Sequence, residues 1–119
     1  MTSKKLAFIG GSGIYNLDIL NEVVEHDIIS SFGQPSSKIL EGKIGENSIF
    51  FLSRHGVGHQ LSPSEINYRA NIESLKQLGV TDIISLSAVG SLKEDLDPGT
   101  FVIVDQFIDR TINRKKSFF

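Results

Sequence analysis

Three short apolar runs, each stopping at small or glycine residues, constrain this chain more than any other feature. Leu6-Ala7-Phe8-Ile9 runs into Gly10-Gly11-Ser12-Gly13, and Ile49-Phe50-Phe51-Leu52 into Ser53-Arg54-His55-Gly56. Asp82-Ile83-Ile84-Ser85-Leu86-Ser87-Ala88 runs into Val89-Gly90-Ser91. Runs this short, bounded by turn formers, read as buried strands. They are far below the ~20 residues of a bilayer span. Between the second and third runs, Tyr68, Ile72, Leu75 and Leu78 recur at helical spacing, and Gly79 supplies a stop. Ser64 reads as the N-cap of that helix, with Asn67 three residues on. Strands enclosing a helix predict an α/β layer fold with a mixed sheet.

Other segments carry weaker signals. Lys38–Ile44 partly alternates, and Ser48–Leu52 resumes the apolar pattern after Gly45-Glu46-Asn47. Together they read as a hairpin with a three- or four-residue loop. Glu22–Ile29 is ambiguous and can be taken as a strand. Asp97-Pro98-Gly99 reads as a turn, and Phe101–Val104 as a further strand. With 119 residues, 39% apolar and 22% charged, the chain has ordinary globular composition and room for one domain. A net charge of −2 without a basic stripe gives no reason to expect a nucleic-acid partner, and no membrane segment is read. There is no cysteine, which excludes disulfides and thiolate metal sites, and a cytoplasmic location is expected.

The chemistry gathers at the ends of the three runs. Glycines let backbone N–H groups approach an anion, and the Ser12 hydroxyl adds a donor. The same residues also make an ordinary tight turn. Arg54 beside His55 suits an oxyanion, because a guanidinium fork matches two of its oxygens; a surface Arg and a satisfied His is the plainer reading. Small residues at Ser87 and Ala88 leave room for a ligand, or for close helix packing. Ligands gather at the carboxyl edge of open α/β sheets. Three such ends together favour a phosphate site over three coincidences. His55 and His59 are not read as a metal pair, and His26 is taken as a surface residue. Arg114-Lys115-Lys116 reads as a solvated basic run.

In this order the motifs resemble the trimeric purine nucleoside phosphorylase family, and most closely its 5′-methylthioadenosine phosphorylase branch. The resemblance rests on Gly10–Gly13, Arg54–His59, Pro63–Asn71, Ser87–Leu92 and Asp105–Thr111. It implies a three-layer α/β/α phosphorylase/hydrolase-like fold with a mixed central sheet. It also implies phosphate binding by Ser12, Arg54, His55, Ser87 and Ala88. Phosphate would be a co-substrate, and neither a metal nor a cofactor would be used. The implied reaction is phosphorolysis of 5′-methylthioadenosine to adenine and 5-methylthioribose 1-phosphate, in a homotrimer. Inosine or guanosine phosphorolysis is the alternative substrate class. Family members are more than twice this length, and their base-recognising residues lie in the second half. Residues 1–119 are therefore expected to be the N-terminal part of one phosphorylase domain, inactive alone and with no assignable catalytic residue. Two further readings compete. Arg54-His55-Gly56 also resembles the histidine phosphatase triplet, although that triplet lies near the N-terminus in those enzymes. The chain could also be a non-catalytic remnant that binds phosphate or associates with other subunits.

Overall fold

The computed structural model describes residues 4–11, 18 and 20–119. Five strands form one mixed sheet: β1 (Leu6–Gly10), β2 (Asn21–His26), β3 (Ile39–Ile44), β4 (Asn47–Ser53) and β5 (Asp82–Leu86). Their spatial order is β2-β3-β4-β1-β5. β1 lies between β4 and β5 and is parallel to both, while β2, β3 and β4 form an antiparallel meander. The single helix among the described residues, α1 (Tyr68–Gln77), lies in the connection from β4 to β5.

Alternation along the strands selects the face that the helix covers. Ala7 pairs with Phe50 and Ile9 with Leu52 across β1 and β4, and Ile39 opposes Leu52 across β3 and β4. These five side chains and Leu75 of α1 are all buried and form one cluster, with Ile28, Ile72, Leu78 and Val80 around it. Ile72, Leu75 and Leu78 are the residues that helical spacing marks, so that part of the expectation holds. Tyr68 instead turns to the chain's last residues, where its ring meets Phe118 edge-on at 6.3 Å.

Several local expectations are corrected. The hairpin loop has two residues, Gly45-Glu46, because Ile44 already pairs with Asn47. Gly45 has φ +61°, at the first central position that glycine takes in a type II′ turn. The helix is capped by Asn67, not Ser64: the Asn67 side chain accepts from the Ala70 amide at 3.2 Å. Ser64 Oγ accepts instead from the Ile112 amide at 3.1 Å. Gly79 does end the helix, at φ +77°. Its N–H reaches the Lys76 carbonyl and that of Val80 the Leu75 carbonyl, the paired bonds of a Schellman motif.

β2 is a strand, although it is exposed along most of its length and carries a register shift between Asn21 and Val24. β5 ends at Leu86 rather than Ala88 and is largely exposed, since only β1 pairs with it. The turn at Asp97-Pro98-Gly99 forms, with Thr100 donating to the Asp97 carbonyl at 3.1 Å. Phe101–Val104 is not a strand. A strand needs a hydrogen-bonded neighbour, and no described residue pairs with this segment. Its four side chains are exposed.

Candidate functional site

β4, β1 and β5 run in the same direction, and their last residues lie in one row: Ser53 opposite Gly10, and Gly10 opposite Leu86. The segments that leave the three strands therefore start side by side at one edge of the sheet. Of the residues expected there, Ser12 lies outside the described residues. Gly11, Arg54, His55, Ser87 and Ala88 follow the row directly.

Arg54 ties the row together. Its amide donates to the Gly10 carbonyl at 2.9 Å. Its half-buried side chain crosses beneath Gly11 to β5, where Nη1 donates to the Leu86 carbonyl and Nη2 to Ser87 Oγ, each at 3.2 Å. Gly11 leaves room for this path, because a Cβ at that position would push against the guanidinium. A guanidinium carries five N–H donors, so two such bonds orient the fork without exhausting it. Arg54 and Ser87 are thus brought together as expected. Ala88 is the next, exposed residue along.

His55 turns into the loop that follows β4. Its ring is buried and its Nδ1 lies 2.8 Å from the Leu61 carbonyl, while the Leu61 amide donates to the His55 carbonyl at 2.9 Å. A carbonyl only accepts, so Nδ1 carries the proton. His59 stacks on the same ring, centroids 4.2 Å apart at 24°. The loop reaches this shape through three left-handed positions: Gly56 at φ +77°, Gly58 at +76° and His59 at +56°. A glycine pattern hinted at that curvature, but no sequence signal marked Leu61 or Leu86, which act through backbone carbonyls. Among the described residues, no group of three or more His, Cys, Asp or Glu is gathered that could hold a metal.

Two other readings are corrected. His26 is half-buried, with Nε2 2.8 Å from Glu41 Oε2 on the neighbouring strand. In the basic run, Lys115 and Lys116 are exposed as expected, but Arg114 is half-buried: its guanidinium lies 4.7 Å from the Tyr68 ring centre and donates to the Pro63 carbonyl at 3.1 Å.

A parallel trio of strands ending in one row, with an arginine fork laid across it, defines an α/β protein of the kind that holds ligands at the carboxyl edge of its sheet. Residues 5–119 match the phosphorylase superfamily, and the chain belongs to that family. Among the relatives, the S-methyl-5′-thioadenosine phosphorylase of Bradyrhizobium diazoefficiens is 58% identical over 119 residues, all of this chain and 41% of the relative. That of Saccharolobus solfataricus is 55% identical over 114 residues, 96% of this chain and 42% of the relative. Among solved structures, the ligand-free methylthioadenosine phosphorylase of Schistosoma mansoni superimposes with a TM-score of 0.89 at 44% identity. That match covers 98% of this chain and 41% of the other. The chain spans about two fifths of the length of the curated relatives it matches.

Proposed function

We propose that this chain supplies the phosphate half of a nucleoside phosphorylase site, and that the whole protein cleaves 5′-methylthioadenosine with inorganic phosphate. The observation that carries the reading is the Arg54 fork, held on the Leu86 carbonyl and Ser87 hydroxyl at the shared edge of three parallel strands. Ser12, His55 and Ala88 complete the proposed phosphate shell. The substrate is taken from the names of the relatives, which are methylthioadenosine phosphorylases. On this reading a phosphate oxygen bonds to the ribose C1′ as the glycosidic bond breaks. The bonding pair leaves with the base, which becomes adenine on protonation, and the sugar leaves as 5-methylthioribose 1-phosphate. The sugar passes through an oxocarbenium-like state, so positioning and charge stabilisation supply the rate, not a covalent nucleophile. On the same reading the whole protein is a cytoplasmic homotrimer that needs neither metal nor cofactor.

The test is steady-state phosphorolysis by the full-length protein of methylthioadenosine, inosine and guanosine. Methylthioadenosine is expected to be preferred, and Arg54→Ala to lower the rate on the order of 10²–10³, as loss of one preorganised donor does. A clear preference for inosine would overturn the substrate, and an unaffected Arg54→Ala variant would overturn the phosphate site.

A further inference from the structure

The stacked pair of histidines beside Arg54 carries an inference beyond that reading, though it rests on it for its functional consequence. His59 is one of the few non-glycine residues with a positive φ, at +56°. Such a conformation is unfavourable for a residue with a side chain and persists where the surroundings enforce it. What the conformation achieves is visible in the geometry. The chain doubles back after Gly56, and the His59 imidazole lies nearly parallel to that of His55 at 4.2 Å. His59 is itself exposed, while His55 beneath it is 7% exposed. The edge of the His55 ring is held by Leu61, whose carbonyl accepts from Nδ1 at 2.8 Å. One contact fixes the ring's edge and the other its face. In the neutral ring this leaves Nε2 as the acceptor.

We propose that His59 is a positioning residue: its ring, stacked on His55, holds the His55 imidazole in a single orientation and in the Nδ1–H tautomer, immediately after the arginine that grips the strand ends. Without the stack, one face of the ring is uncovered and the Leu61 bond has to hold the ring by its edge. His59 thereby governs how His55 meets phosphate.

The test separates the ring of His59 from its backbone shape. Asn tolerates the left-handed conformation but has no ring, and Gly accepts it without strain. His59→Asn and His59→Gly are expected to shift His55 from one tautomer to a mixture, read by long-range ¹⁵N–¹H spectra of ring-labelled histidine in the full-length protein. Both are expected to raise the KM for inorganic phosphate roughly 2–10-fold, the equivalent of one aromatic stack. His59→Phe, which keeps a flat ring, is expected to restore the single tautomer and most of the phosphate KM. Unchanged His55 spectra in the Asn and Gly variants would overturn the proposal, as would a Phe variant that behaves like them. The Arg54→Ala variant keeps the two ideas apart. If it leaves phosphate affinity intact, the phosphate site is wrong, while the His55 spectra still decide what His59 does.

Discussion

At the scale of single residues, the candidate site depends on space as much as on charge. The Arg54 guanidinium lies so close to Gly11 that a side chain there would force the fork to shift. Gly11→Ala is therefore expected to shift the guanidinium on Leu86 and Ser87 and to lower phosphorolysis, by less than Arg54→Ala does, with the fold retained. Comparing the two variants in one assay, with circular dichroism as the control, checks this; full activity in Gly11→Ala would show that the fork is not needed where it lies.

A second residue-scale prediction concerns acid stability. Glu73 accepts from the Ser31 hydroxyl at 2.8 Å and the Ser31 amide at 2.6 Å, and the hydroxyl bond is the main cause holding its carboxyl below the ordinary 4.5. A depressed carboxyl contributes stability above its unfolded value. That contribution is lost as pH falls from 4.5 through the lower folded value. Glu73→Gln is thus expected to flatten the acid limb of a pH–melting curve and to change little at neutral pH beyond the lost bond.

At the scale of elements, α1 is held by its ends and by one face. Removing the cap with Asn67→Ala is expected to cost about 1 kcal/mol, read by denaturant unfolding. The middle of the helix offers a sharper contrast in two adjacent, fully buried residues. Leu75 is in the core cluster, and Leu75→Ala is expected to cost about 2–5 kcal/mol. The buried Ser74 hydroxyl has no hydrogen-bond partner among the described residues. Ser74→Ala removes a desolvated polar group and is expected to be neutral or stabilising by about 1 kcal/mol. A Ser74→Ala variant that melts earlier than wild type would mean the hydroxyl is satisfied after all.

The elements also differ in how plainly the sequence marked them. β4 carries a strong signal because it is buried on both faces and so reads as an unbroken apolar run, and β1 and α1 because apolar residues of each pack into the core cluster. β2 is ambiguous because an exposed edge strand has little reason to alternate, and it exists through pairing with β3. Phe101–Val104 has strand composition, and composition alone makes no strand when nothing lies beside it to complete the ladder.

At the scale of the whole molecule, the 119 residues leave much apolar surface uncovered. Phe101, Ile103, Ile108 and Phe119 are each at least 86% exposed, and Ile83 and Ile84 of the edge strand are at least 40% exposed. Apolar surface on that scale, next to an unpaired strand edge, favours association. Purified alone, residues 1–119 are expected to self-associate in sedimentation and to release no adenine from methylthioadenosine at saturating phosphate. Sustained turnover that vanishes with Arg54→Ala would show that the essential groups all lie within this segment.

Of the residues expected to bind phosphate, the structure brings Arg54 and Ser87 together at the strand ends. Arg54 is legible because its fork suits an oxyanion and Ser87 because a small residue leaves room for one, and parallel pairing of β4, β1 and β5 brings them within hydrogen-bonding distance. The partner of His26 was not legible, since Glu41 lies on another strand 15 residues away and the pairing exists only through the register of β2 on β3. The same holds for Arg114 on Tyr68, and for the Leu61 carbonyl beneath His55. By itself, the sequence determined what depends on near neighbours: apolar periodicity, the glycine that stops the helix, and the residue types at each strand end. The tertiary structure alone decided strand order, the true helix cap, the partner of each histidine and the path of Arg54 past Gly11. Those outcomes depend on contacts between segments far apart in the chain, whose geometry is set only when the sheet assembles.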